Sequence, residues 1–594
     1  MAIEISKKLN PHTHTNEGLK TETQSGNRSM SVGVKRHWSA ILIAFIFGFL
    51  MVLPFFYFQT KLGSEYKGIL SDTIDDERFY LARIKDVMDG HLTLGNAYLL
   101  EHKAQLPQQL FLPEFLLAQP LKLLNFSVVQ GRILYSFILP AIALILTYTA
   151  FYLIRPSKFW ANVFAVFLFF GIFIFKFTRP VIPQFVFLFW LTQFILAWLF
   201  IKNFRFKWIM SLAIINFGLL FYLYPFYWTF YLVFFLILFL VYFFKDRLLS
   251  KKFLAILVGG ILIGSVYFYL SYLAIQIPSY EEALTRIQMV YSRSLSGFKI
   301  VSLSLVMLGI LVLLSKLKKI ELNREVIFFI SGILSILIVT NQNIITGRKF
   351  EFSSHYYMLA IFFLVFAGYY LLSRLKEKFP KLKFIIIVLV FFIAATNTYG
   401  YLDTVLNIST QRVYYQKYKA VFDWFNENTP SDSVVYANEE ISSLVPVYTD
   451  NNVFYSRFAN LFIISDEEVL ERFILNNFFE KFNRNFVVEN ERAIWGVRYI
   501  DRYGDAVQAN KWRRILGLKL KPVERLPEDE INKVITKAQE IQKGDFRKRL
   551  KKYQIDYIIW DPEKNSNWQF NRQKFLREAL KYDNFVIYKI YEDI

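Results

Sequence analysis

Apolar residues in this chain come in blocks of about 18–25, long enough to cross a bilayer, separated by short polar segments. The blocks fall at 38–58, 128–154, 159–177, 182–201, 208–223, 228–244, 253–274, 298–315, 325–341, 356–372 and 383–402. This pattern predicts an α-helical polytopic membrane protein with about eleven transmembrane helices. The connecting segments set its orientation. Arg155–Lys158, Lys202–Lys207, Lys245–Lys252, Lys316–Arg324 and Arg374–Lys383 are short and basic, as cytosolic loops are. The N-terminus is therefore expected in the cytosol, and an odd number of spans places the C-terminal part outside. The decisive place is Leu223-Tyr224-Pro225-Phe226. One kinked helix there would invert everything downstream, against the sign of the later loops.

Two regions break the pattern. Residues 59–127 form a long first outer loop. Within it, charges around Phe79, Ile84, Val87 and Met88 predict a helix over Asp75–Asp89, stopped by Gly90. Residues 108–124, with Glu114 and two prolines, read as a surface-lying or re-entrant helix. From 403 onward short β-branched and aromatic runs alternate with helical stretches at 412–426, 465–482 and 528–552. The runs at Ser433–Ala437, Val453–Ser456, Ile555–Trp560 and Asn584–Ile590 read as strands of a C-terminal extracytoplasmic α/β domain. With about 190 residues it is large enough for its own core. Residues 1–37 are polar and read as a disordered cytosolic tail, and 38–58 as an uncleaved signal anchor. The catalytic part is expected within 38–402.

Composition agrees. Of 594 residues 55% are hydrophobic and 19% aromatic. The net charge of +21 lies mostly in the cytosolic loops, so nucleic acid is not the expected partner. Absence of cysteine excludes disulfides, thiolate nucleophiles and Cys-based zinc sites. None of the six histidines falls mid-span, which argues against a proton relay through the bilayer.

The acids Asp75, Asp76 and Glu77 follow the first span directly. A carboxylate there can take the proton of an attacking hydroxyl, or a group of them can hold a divalent cation against a phosphate. The plainer alternative is an acidic helix N-terminus complementing the dipole. Asp76-Glu77-x-x-Tyr80, a basic residue shortly after, then Gly90, all in the first outer loop, resembles the GT-C glycosyltransferases. It is most similar to the branch with the protein O-mannosyltransferases and the lipid A aminoarabinose transferases. The resemblance covers 38–402 in plan and 72–91 in residues. It implies a sugar donor carried on polyprenyl phosphate, a glycan, lipid or protein acceptor on the outer face of the plasma membrane, and an inverting transfer. Asp76 maps onto the family's catalytic acid and Glu77 onto its neighbour. Asp75 is an extra acid that leaves open which Asp is the base.

Cations on the predicted outer side run against the loop rule. They are Lys176, Arg179, Arg286, Arg293, Arg348 and Lys349. For a lipid-phosphate donor, Arg179, Arg348, Lys349 and His355 are the candidate phosphate ligands, with headgroup pairing or snorkelling as the alternative. Asn341, Gln342, Tyr224 and Tyr80 are candidate substrate contacts. No nucleotide-binding or serine-hydrolase motif is present. A divalent cation is the one cofactor the acids would hold. Competing readings are a polysaccharide polymerase or ligase, a transporter, which would want charged or broken midplane helices, and a non-catalytic envelope protein.

Overall fold

The computed structural model describes residues 36–591 except 73, 75, 93, 108–110, 288, 351–354 and 376–379. The expectations for Asp75 and for the tail through residue 35 lie outside the described residues. Helix α1 spans Trp38–Leu62, followed by α2 (Asp76–Met88) and α3 (Leu112–Leu123) in the long loop. Then come α4 (Val128–Ile154), α5 (Lys158–Val166), α6 (Val186–Lys202), α7 (Lys207–Leu223), α8 (Pro225–Lys245), α9 (Arg247–Ile263) and α10 (Ser265–Ile275). Helices α11 (Tyr280–Ile287), α12 (Phe298–Lys316), α13 (Arg324–Thr340), α14 (His355–Leu375) and α15 (Pro380–Leu406) complete the apolar part.

Among the described residues, eight helical segments are long and apolar enough to cross a bilayer, from Trp38–Glu65 to Lys383–Leu406. The other three apolar blocks depart from simple spans. Helices α9 and α10 form one path bent by 47° at Gly264. A Cβ at Gly264 would lie 2.6 Å from the Phe221 ring, so the bend sits where α7 packs closely against it. The block at 208–223 is the 17-residue helix α7. The block expected at 159–177 is not one α-helix. After α5 the chain is π-helical over Phe167–Ile172 and 3-10 over Ile174–Thr178, and Arg179 is extended. Pro180 explains the stop, because the residue before proline is pushed out of the helical region.

Helix ends gather at two faces. At one, Arg374 and Lys202 both meet Glu325, Arg324 meets Asp246 at 3.1 Å, and Arg155 reaches the Ser373 carbonyl at 3.1 Å. The Arg324 guanidinium also lies 4.5 Å from the Phe204 ring centre. One side chain thus touches the start of α7 and the end of α8, so these helices form a hairpin about Tyr224 rather than one kinked rod. At the opposite face lie the long loop, Arg179, Tyr224, residues 276–297 and 341–350, and the C-terminal domain.

That domain carries a five-stranded mixed sheet. Strands β1 (Met289–Tyr291) and β2 (Arg348–Phe350) form a separate antiparallel pair. Strands β3 (Val434–Tyr436), β4 (Asn452–Val453) and β5 (Tyr557–Trp560) are parallel, β7 (Phe585–Ile590) pairs antiparallel with β5, and β6 (Leu576–Tyr582) pairs antiparallel with β7, giving the order β4-β3-β5-β7-β6. Three strands, β3, β5 and β7, fall where the sequence predicts them, whereas the strand expected at Val453–Ser456 is the two-residue β4, Asn452–Val453, and shares only Val453 with that expectation. The fifth, Leu-Arg-Glu-Ala-Leu-Lys-Tyr, is built of helix formers. Its pairing with β7 across a turn with Asp583 at φ 51° overrides that preference. The long loop is stitched to this domain. Gln416 exchanges hydrogen bonds with the backbone of Ile69, and Val453 N–H donates to the Tyr98 carbonyl at 2.8 Å, capping the β4 edge.

Candidate functional site

Helix α2 begins at Asp76 and is closed by Gly90 at φ 111°, a conformation that favours glycine. Asp76, Tyr80 and Arg83 are spaced i, i+4, i+7 and share one face of the helix. The Asp76 carboxylate meets Arg179 at 3.0 Å and is 58% exposed, so solvent and substrate can reach it. Tyr80 is buried beside it. Burial pushes its phenol up to about 12 although Arg179 pulls the other way, so it stays protonated as a hydrogen-bond donor.

Glu77 has a different place. It is 1% exposed and pairs with Arg132 of α4 at 3.0 Å. Arg132 also donates to the Thr178 carbonyl and to Ser136. One guanidinium therefore fixes the start of α2 and the turn that carries Arg179. Sequence reasoning missed Arg132; the signal was an arginine inside an apolar block, Gly131-Arg132-Ile133.

Beside this cluster is a cavity of about 410 Å³, within the range of small-ligand sites. Val181 and Ile182 from the Arg179 turn, Arg83, Glu114, and the aromatics Tyr224, Phe226 and Trp228 line it. Its polar lining includes Gln342, Thr346 and Arg348. Asp76 is not among the lining residues; helical rise puts it about 10 Å along α2 from Arg83, so the two are joined by the Arg179 turn and by one face of α2. Arg83 and Glu114 form a second buried pair at 2.9 Å, also missed from sequence. Burial raises the Glu114 carboxyl while Arg83 opposes the shift.

The structure thus brings Asp76, Tyr80 and Arg179 together, and Tyr224, Gln342 and Arg348 to one cavity. His355 is next to it, hydrogen-bonded to the Tyr224 hydroxyl and stacked on Phe226 at 4.8 Å. Lys349 is not there. It is 1% exposed and pairs with Asp505 at 2.8 Å, on the C-terminal domain's helix Arg498–Ile515, which corrects its assignment to phosphate. Asn341 is turned to the backbone, accepting from Ser296 N–H at 2.9 Å. Arg286 is fully buried against Asp466 and the carbonyls of Asn460 and Ile464, and Arg293 caps the carbonyls of Ile344 and Ile345. These cations tie loops together. Lys176 is exposed.

A divalent cation does not fit the two described acids, because Asp76 and Glu77 each face a guanidinium. Among the described residues no group of three His, Asp or Glu could hold a metal ion.

A second cleft of about 520 Å³ lies between the far end of α2, the start of α4 and the C-terminal domain. Lys85, Asp89, Lys419, Asn426, Tyr448 and Asp450 give it polar walls of both signs. Compared with known proteins, the chain matches no family model and no curated protein.

Proposed function

We propose that this protein is an integral membrane glycosyltransferase of GT-C type. It moves a sugar from a polyprenyl-phosphate carrier to an acceptor at the outer face of the plasma membrane. The observation that carries the reading is the exposed Asp76 carboxylate in contact with Arg179, whose turn supplies Val181 and Ile182 to the wall of an aromatic cavity. An acid and a cation thereby flank one spot: with their contact opened, the acid serves the acceptor side of an anomeric carbon and the cation the side of the leaving phosphate. The acceptor oxygen attacks the anomeric carbon and its proton passes to Asp76. The bond from that carbon to the phosphate oxygen breaks, and the phosphate leaves with the electron pair. Arg179, released from Asp76, neutralises that charge, and Tyr80 donates a hydrogen bond. Glu77 positions the helix through Arg132 and takes no proton. The aromatic wall suits isoprenoid carbons, and Arg348 suits the phosphate. The polar second cleft, walled in part by the C-terminal domain, suits a polyhydroxylated acceptor.

Two experiments test this. The chain has no cysteine, so single cysteines report accessibility without background. In an eleven-span topology, Lys319→Cys labels only from the cytosol and Thr410→Cys only from outside. Labelling of both from one side removes the orientation on which the outer-face reaction rests. Arg348→Gln should raise the donor concentration for half-maximal transfer about 10- to 100-fold, the cost of one charge-assisted hydrogen bond. An unchanged half-saturation point would exclude Arg348 from the phosphate.

A further inference from the structure

The Arg83–Glu114 pair is incomplete. An ionised carboxylate offers about four acceptor sites on two oxygens. Arg83 Nε approaches Oε1 at 2.9 Å as an ion pair without an aligned hydrogen bond, and among the described residues the buried Glu114 Oε2 meets no hydrogen-bond partner. Glu114 itself is 1% exposed. Capping α3 would not require this, since an acid in the first turn complements the dipole from solvent. A buried acceptor without a donor is unfavourable, and such atoms in folded proteins call for an explanation. Here the explanation adjoins it, because Glu114 lines the 410 Å³ cavity. Among the described residues, the charged ones lining that cavity are Arg83, Glu114 and Arg348. Arg83 is paired with Glu114. What is left is one cation suited to an anion and one carboxylate oxygen suited to a donor.

We infer that Glu114 Oε2 is a specificity element, accepting a hydrogen bond from a hydroxyl or ammonium group on the sugar of the lipid-linked donor. The inference rests on the donor-site reading above. It names which side of the cavity reads the sugar and with what chemistry: an acceptor that requires O–H or N–H on the ligand. A site built this way discriminates strongly against an analogue lacking that group, because the buried oxygen is then left unpaired. Arg83 acts as a positioning residue, holding the carboxylate by its other oxygen.

The test uses the full-length protein in lipid nanodiscs. The probes are farnesyl phosphate and farnesyl-phosphate-linked hexoses and pentoses. For the tightest binder, the full set of monodeoxy analogues and an amino-for-hydroxyl analogue are added, all read by equilibrium binding. In the wild-type protein, removal of one particular hydroxyl should weaken binding about 10- to 100-fold, with the other positions nearly neutral. In Glu114→Gln, which keeps an oxygen for Arg83 but turns the other end into a donor, that selective penalty should disappear while farnesyl phosphate binds as before. A flat deoxy series in the wild-type protein overturns the inference whether or not the variant folds, and means that Oε2 does not contact the sugar. A penalty that persists unchanged in Glu114→Gln overturns it too, assigning the recognition to another group. If neither farnesyl phosphate nor any linked sugar binds, the donor reading fails and this inference with it; if both bind and the deoxy series is flat, only this inference fails.

Discussion

Asp76→Asn should lower transfer about 10²- to 10⁴-fold, the usual contribution of a positioned general base, with the protein as stable as the parent. Stability is spared because Asp76 is more than half exposed, and an exposed ion pair contributes only about 0–1 kcal/mol. The side chain that anchors α2 is Glu77, one residue on. The measurement is turnover in membranes containing matched amounts of protein, together with donor binding. Asparagine keeps the contact with Arg179 through its amide oxygen, so donor affinity should change less than turnover. Equal losses in both would mean that Asp76 holds Arg179 in place and does no proton chemistry. Normal turnover would remove Asp76 from the mechanism and turn attention to Asp75.

Much of this was legible in the chain because long apolar blocks and turn residues act locally. The helix expected over Asp75–Asp89 is Asp76–Met88, and the proline-containing segment at 108–124 is the helix Leu112–Leu123. The partners were not legible. Nothing local tells that Arg132 crosses to Glu77 and to Thr178, or that Lys349 is consumed by Asp505, 156 residues away. Both Lys349 and Arg348 break the expected loop charge, but only the fold separates the residue that staples the C-terminal domain from the one that lines the cavity. The strand Leu576–Tyr582 was hidden for a related reason: its local preference is helical, and a long-range pairing decides.

The same distinction yields the second large effect. Glu77→Ala should destabilise the protein by about 3–5 kcal/mol, because it leaves the Arg132 guanidinium buried without its counter-ion. Both side chains are only 2% exposed, so water cannot compensate. Arg132→Met should be comparably damaging, since it strips the Glu77 carboxylate and frees the Thr178 carbonyl. The double variant Glu77→Leu with Arg132→Met removes both charges and fills the volume. It should recover most of the stability, because a buried ion pair is nearly neutral against well-packed apolar residues. Unfolding in detergent, followed by loss of monodisperse protein with temperature, reads the three in parallel. The activity of the double variant then separates scaffold from chemistry. If Glu77 only positions α2, the refolded double variant transfers sugar at a rate within about tenfold of the parent, whereas a lost general base costs at least about 10². A double variant that melts like the parent but shows that larger loss would move the proton from Asp76 to Glu77, and the buried pair would then be the resting state of the catalytic base.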